Sequence, residues 1–383
     1  VNLNTAGWAS RVLTPLLRII RSSPNATVPV VVISEPVNSE TAALVNADIA
    51  LVAKGTGATL AQVPDETAAG GNKRGTNATD WQKSRSINTY VASGNYSTIA
   101  GGQNNTASNT LATVSGGDSN IASGIRSTIA GGNGNTASSQ NSFVGGGQSN
   151  TAQTSTHATV CGGSSNTASG QYSFVGGGSS NTASGLRSTV VTGETNTASA
   201  SNACIVGGQN HTANGTNSFV AGGRRGTTRS ISGNHVFAAC NIPITNATGV
   251  TQSGLLLLAR ETTNATATVL TSDPLAAGTT NQVILPNNSA YSFSGEVIAG
   301  VTGGGNTARW TIDGAIKRGA NAASTTMVGT ATVTMTHFDA GAATWSVAVT
   351  ADTTNGGIAV TVTGAAATTI RWVCKINTTE MTY

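Results

Sequence analysis

Glu296, Asp313, Asp339 and Asp352 are the side-chain type with which glycosidic bonds are cut. One carboxyl protonates the leaving oxygen while a second acts as base or nucleophile across the scissile bond. These four are scattered over segments that read as strands and turns, and their spacing places no two at a working separation. His157, His211, His235 and His337 lack the i,i+2 or i,i+4 pairing of metal ligands. Either His235 or His337 could be matched with one of many serines, which leaves a Ser-His-Asp assignment empty. No G-x-S-x-G elbow or P-loop is present, and the Gly-Gly pairs precede no helix that would make them phosphate loops. Cys161, Cys204, Cys240 and Cys374 are too widely and irregularly spaced for a metal set or a disulfide framework, and read as small buried hydrophobes. The expectation is no catalytic residue, no metal, no cofactor and no enzymatic activity. If the chain binds something, the candidates are Trp310 and Trp345 with the glycine-rich loop from Gly303 to Asn306.

The composition points the same way. Charged residues make up 9% and aromatics 4% of 383 residues, where about 25% charged is usual. A chain so short of charge is not kept soluble as a disordered tail is, and it is expected to order by backbone pairing. Its net charge of +4 contains no run of five like charges, so neither a nucleic-acid nor a membrane patch is expected. Val28 to Ile33 and Leu255 to Ala259, the longest apolar runs, are strand-sized, and no membrane insertion is expected.

The elements that must carry any function are set by a repeat. Ile99, Val114, Ile129, Val144, Val160, Val175, Val190, Ile205 and Val220 recur at a period of 15, with one step of 16. A second column runs Asn105, Asn120, Asn135, Asn150, Asn166, Asn181 and Asn196, usually followed by Thr-Ala-Ser. A fixed short period is the mark of a solenoid. Helices fit poorly, because each period is rich in Gly, Ser, Thr and Asn and lacks apolar residues at helical spacing. Two short strands per period, "STIAG" and "NTASG", make one coil, and nine coils at about 4.8 Å build a rod on the order of 43 Å long. The extra residue of the long step falls in "TAQTSTHA" and is expected outside the strands. One branched residue and a couple of alanines per coil make a thin interior, so burial of a face against further copies is expected.

The "S-x-I-A-G-G" and "N-x-A-S-G" repeat resembles the left-handed parallel β-roll of YadA-like trimeric adhesin heads over about residues 93–230. His211 in the Asn column and Thr192 before Gly193 depart from it, and local irregularity is expected there. From Lys54 to Ser97, "KGTGATLAQVPD…GGNKRG…DWQ…R…VASGNYS" resembles the segment preceding the roll in bacteriophage tail-fibre and other virion fibre proteins. "YSFSGEVIAGVTGGGNTARWTIDGAIKRG" resembles the terminal β-sandwich of phage fibres, a domain that commonly trimerises the shaft and presents receptor-contacting loops. These resemblances imply a homotrimeric phage tail or head fibre on the virion surface. It would be held to other virion proteins by its N-terminal domain and would touch a host cell-surface glycan or protein. A glycan-depolymerising tail spike and a trimeric autotransporter-type adhesin are the alternatives. The latter requires a signal peptide and a membrane-anchor barrel, neither of which is read in these residues.

The expected fold is therefore all-β, in three parts: an N-terminal attachment domain at 1–92, the β-roll shaft at 93–230, and an antiparallel β-sandwich at 231–383. In the first part, "WASRVLTPLLRIIRSS" has a helix-like distribution, while "VPVVVIS" and "DIALVAKG" read as strands. Lys73, Arg74, Lys83 and Arg85 around Trp81 read as a solvated loop. "ISGNHVFAACN" reads as a last irregular coil around Val236 that caps the roll, and the longer alternating strands beyond it carry most of the aromatic burial.

Overall fold

The computed structural model describes residues 57–240 and 244–383, together with the backbone of two strands, Leu17–Arg21 and Pro29–Ile33. Those strands pair antiparallel with Leu17 opposite Ile33, which replaces the helix expected around "PLLRII". Ile19 and Ile20 pair with Val31 and Val30 in the ladder, and β-branched residues favour a strand over the helix their spacing also permits. The "VPVVVIS" strand is present as Pro29–Ile33, and "DIALVAKG" lies outside the described residues.

The repeat folds as a parallel β-solenoid of about 11 turns. Each turn carries two strands of two residues, such as Thr98–Ile99 and Thr106–Ala107. One ladder runs from Thr59–Leu60 through Thr79–Asp80 and the repeat columns to His235–Ala238. The other runs through eight strands from Thr106–Ala107 to Thr212–Ala213. All nine branched residues of the first column are fully buried and stack directly above one another. The alanine of "N-T-A-S" forms the second buried column, from Ala107 to Ala213. The extra residue of the long step lies between Thr151–Ala152 and Thr159–Val160, outside both strands, as expected.

The ladder passes through both expected boundaries. It starts at Thr59–Leu60, so the position between 92 and 93 falls inside the stack. It also does not end in a cap. His235–Ala238 pairs parallel with Phe219–Val220 on one side and antiparallel with Thr251–Thr262 on the other, so the roll's open edge is continued by a second kind of sheet. Edge amides that would be a liability at a free strand are thereby paired.

In that sheet Thr251–Thr262 pairs with Ile370–Thr382, which pairs with Ser289–Val301, which pairs with Thr307–Arg318, all antiparallel. A smaller sheet is gathered around Gly357–Thr363, flanked by Ser346–Asp352, Thr268–Val269 and Val283–Ile284. Inward residues of both sheets share one apolar cluster that includes Leu258, Phe293, Trp310, Trp345, Val360 and Trp372. Roll and sheets are tied by Arg229, whose Nε lies 3.0 Å from Glu380 Oε2. The Glu380 carboxylate also accepts from Gln252 Nε2 at 2.8 Å and Thr378 Oγ1 at 2.8 Å. Among the described residues no helix is long and apolar enough to cross a membrane.

Candidate interaction surfaces

The repeated asparagine is a backbone surrogate inside the roll. Asn150 Nδ2 donates to the Gly146 carbonyl of its own turn at 2.8 Å and to the Gly163 carbonyl of the next at 2.8 Å. Its Oδ1 accepts from the Asn166 N–H at 3.0 Å, and the same pattern repeats up the column. Every column Asn is fully buried. A buried amide is tolerable only when its donors and acceptor are satisfied, which the ladder does at each turn. The adjoining Gly-Gly pair has two unequal members. Gly163 has φ +88°, and a Cβ there would lie 2.6 Å from Asn166 Nδ2 and collide with the Gly178 carbonyl. Gly162 has open space where its Cβ would be. That inequality explains why Thr192 replaces only the first glycine of its pair without breaking the ladder.

His211 likewise leaves the ladder intact. Its Nδ1 accepts from the Gly226 N–H at 2.9 Å and its Nε2 lies 2.9 Å from the Gly223 carbonyl oxygen, so it reproduces both roles of the amide. Because an N–H can only donate, the imidazole is held neutral with its proton on Nε2. The residue is buried, not a surface histidine, and burial lowers its pKa below 6.5 against the pull of the Gly223 carbonyl, while the Gly226 N–H aimed at Nδ1 favours the neutral ring. A depressed histidine pKa means the unfolded chain binds the proton more readily, so stability rises with pH and falls once the pH drops below the unfolded value. The last turns of the roll are therefore expected to loosen as pH falls from 7 towards 5, by up to about 1.4 kcal/mol per pH unit for one proton. Hydrogen exchange of Thr212–Thr228 against pH measures this. His211→Asn is expected to abolish the dependence, and an unchanged pH profile in that variant would refute the assignment.

At the first turns the branched column residue is replaced by Asp80, fully buried and opposite Ile99. Arg74 Nε lies 2.8 Å and Arg85 Nη2 3.8 Å from Asp80 Oδ2, with both guanidiniums inside. The expected solvated loop is thus a buried ion cluster, with Lys73 and Lys83 left exposed and Trp81 half-exposed. The arginines fold inward because Asp80 and the carbonyls of Gly70, Asn72 and Ala69 give them partners. Gln82 starts the asparagine ladder, accepting from the Asn105 N–H at 2.9 Å and donating to the Asn105 carbonyl at 2.9 Å.

Outward from the first ladder point two further columns. One runs Thr98, Thr113, Thr128, Phe143, Thr159, Phe174, Thr189, Cys204, Phe219. The other runs Ala100, Ser115, Ala130, Gly145, Cys161, Gly176, Val191, Val206, Ala221. Neither contains Asp, Glu, Lys or Arg. Phe143 and Phe174 are each followed two residues later by glycine, which keeps the face level. Val191, Val206 and Phe143 are 38–41% exposed on it. Cys161 is exposed and Cys204 half-buried here, and Cys240 is exposed, so only Cys374 is the buried hydrophobe expected of all four. Burial pushes the Cys374 thiol up to about 12.

Trp310 and Trp345 are not available as binding residues: each is 3% exposed. They flank Trp372 with ring centroids 5.6 and 5.8 Å away, at inward positions of the shared core. Alternation along the strands sends them inward, and an aromatic cluster is what a two-sheet core uses for volume. Gly303 and Asn306 are exposed in the hairpin loop between Ser289–Val301 and Thr307–Arg318, apart from the tryptophans. Three of the four candidate carboxylates are committed to local structure, while Asp313 is exposed on the strand Thr307–Arg318. Glu296 pairs with Arg309 at 2.9 Å, and Asp339 accepts from the Thr307 N–H at 2.8 Å. Asp352 is partly desolvated, which would raise its pKa, yet bonds from Asn355 and Thr354 hold it below the usual carboxylate value. Among the described residues no three His, Cys, Asp or Glu gather as a metal site.

No family model matches the chain, and no curated protein matches it. Among solved structures it is similar to the tailspike protein of Acinetobacter baumannii phage AM24, at 10% identity and a TM-score of 0.23, over 84% of this chain and 69% of that one. It is also similar to the tailspike protein of Acinetobacter phage vB_ApiP_P1, at 9% identity and a TM-score of 0.20, over 85% of this chain and 80% of that one.

Proposed function

We propose that the chain is a non-catalytic attachment fibre of a phage virion, in which three copies associate along the charge-free face of the roll and the C-terminal sheets meet the host surface. The observation that carries this reading is that face. Two outward columns run nine repeat turns without one ionic side chain, and Phe143, Val191 and Val206 stand exposed on them among threonines and small residues, a surface of the kind that marks protein–protein contact. Isologous or cyclic burial of such a strip also supplies the apolar contact that a roll with one branched residue and one alanine per turn lacks. The number three, the left hand of the roll and the virion setting come from the resemblance of the repeat and its flanks to YadA-like rolls and phage fibre segments. The N-terminal region would then hold the chain to other virion proteins, and a host glycan or protein would be the distal partner.

Light scattering on a sizing column tests the assembly: the expected mass is three times the 38.0 kDa chain, with an elongated profile. A monomer would refute the reading. Val191→Glu, placed on the exposed face, is expected to give monomers that keep the solenoid's far-ultraviolet dichroism. Trimers that survive this change would move the interface elsewhere.

A further inference from the structure

A cavity of about 700 Å³ opens where the last turns of the roll meet the segment between Val269 and Val283. From this cavity we infer a saccharide-binding site, with an uncharged acetamido sugar as the ligand class. The inference rests on the host-attachment reading above and names the place and chemistry of that contact.

The cavity wall is built rather than loose. Asn281, buried in the segment, donates through Nδ2 to Asp273 Oδ1 at 2.7 Å and to the Ala276 carbonyl at 2.9 Å, and accepts from the Gly278 N–H at 2.8 Å. Arg260 holds the Pro274 carbonyl at 2.8 Å and also the Leu275 carbonyl. The Ser232 N–H donates to the Thr280 carbonyl at 2.7 Å and docks the segment on the roll. A preformed wall loses little entropy on binding.

Within this frame one polar atom is unspent. Asp273 Oδ1 takes both hydrogen bonds made to that carboxylate, from Asn281 and from the Leu275 N–H at 3.0 Å, which leaves Oδ2 with none. Beside it Leu257 and Leu275 are 57% and 64% exposed, and His235 and Asn217 face the same space. A free carboxylate oxygen beside leucines matches a ligand that presents hydroxyl or amide N–H donors together with a methyl or C–H face. No Lys or Arg lines the cavity, while Asp273 does, so uronic and sialic acids are disfavoured. The volume lies within the roughly 300–1,000 Å³ of small-molecule sites. The cavity is bounded by the roll's corner at Asn217 and by His235 and Leu255, which continue the outward column beyond Phe219, so it opens at the end of the charge-free face.

Calorimetry and saturation-transfer NMR on the intact chain test this with an N-acetylglucosamine tetrasaccharide and a galacturonate tetrasaccharide. Binding of the first and not the second is expected, with affinity falling about tenfold or more in Leu257→Asp and in Asp273→Asn, a loss of one or more good contacts. Leu257 is on an exposed strand face, so its variant keeps the fold even if Asp273→Asn disturbs the loop; an unchanged melting temperature verifies this. No binding of the acetamido sugar, equal binding of the uronate, or affinity unchanged in Leu257→Asp would each overturn the site. Host-cell attachment that persists in trimeric Leu257→Asp overturns the site and leaves the fibre standing, whereas a monomeric parent chain overturns the fibre.

Discussion

Asp80→Ala is expected to lower stability by roughly 3–5 kcal/mol, because it leaves two buried guanidiniums facing each other without their counter-ion. Arg74 and Arg85 are 4% and 7% exposed, and burial together with the Arg74 charge already lowers the Arg85 pKa from its ordinary value, with Asp80 opposing. Urea unfolding measures the loss. Hydrogen exchange locates it: Thr59–Leu60, Thr79–Asp80 and the adjoining turn should lose protection while turns beyond Val114 keep theirs, since each solenoid turn leans only on its neighbours. The companion variant replaces the whole cluster, Asp80→Ile with Arg74→Met and Arg85→Met, which extends the branched column from Ile99 back to position 80. Its stability is expected to be near that of the parent or above it. A cost under about 1 kcal/mol for Asp80→Ala would mean that the cluster is hydrated and does not close the roll.

Gly163→Ala is expected to cost about 3 kcal/mol or more, and Gly162→Ala, one residue away, within about 0.5 kcal/mol. At Gly163 the chain has φ +88°, and the added methyl would meet both Asn166 Nδ2 and the Gly178 carbonyl, the two ends of a ladder hydrogen bond of 2.9 Å. Strain and loss of that bond add. At Gly162 the new methyl meets open space. Thermal or urea melts of the pair decide the matter, because both variants make the same chemical change. Equal effects would show that the asparagine column does not set the glycine requirement.

Much of the roll was legible in the residues. Ile99 to Val220 recur at a period of 15 with one step of 16, and a β-branched apolar residue once per period among small polar residues marks a buried column. The asparagine column was equally visible, although its meaning was not: a repeated Asn reads alike whether it faces solvent or spans two turns. The first turns were missed because Asp80 stands where Ile or Val stands elsewhere, and a charged residue in a core column breaks the pattern by which a column is found. His211 was expected to disturb its turn, yet an imidazole has an acceptor and a donor edge, as an amide does.

The sequence by itself determined the period, the residues inside each turn, the all-β class and the alternation of the later strands, since these follow from local spacing along the chain. Only the tertiary structure decided what depends on residues far apart. It carried Trp310 and Trp345 into the core beside Trp372 and drew Arg74 and Arg85 onto Asp80. It joined the roll to the antiparallel sheet through Arg229 and Glu380, 151 residues apart. It placed Ser272, Asp273 and Leu257 around one cavity. Burial, charge pairing and cavities are properties of surfaces brought together by folding, and no window of sequence contains both surfaces.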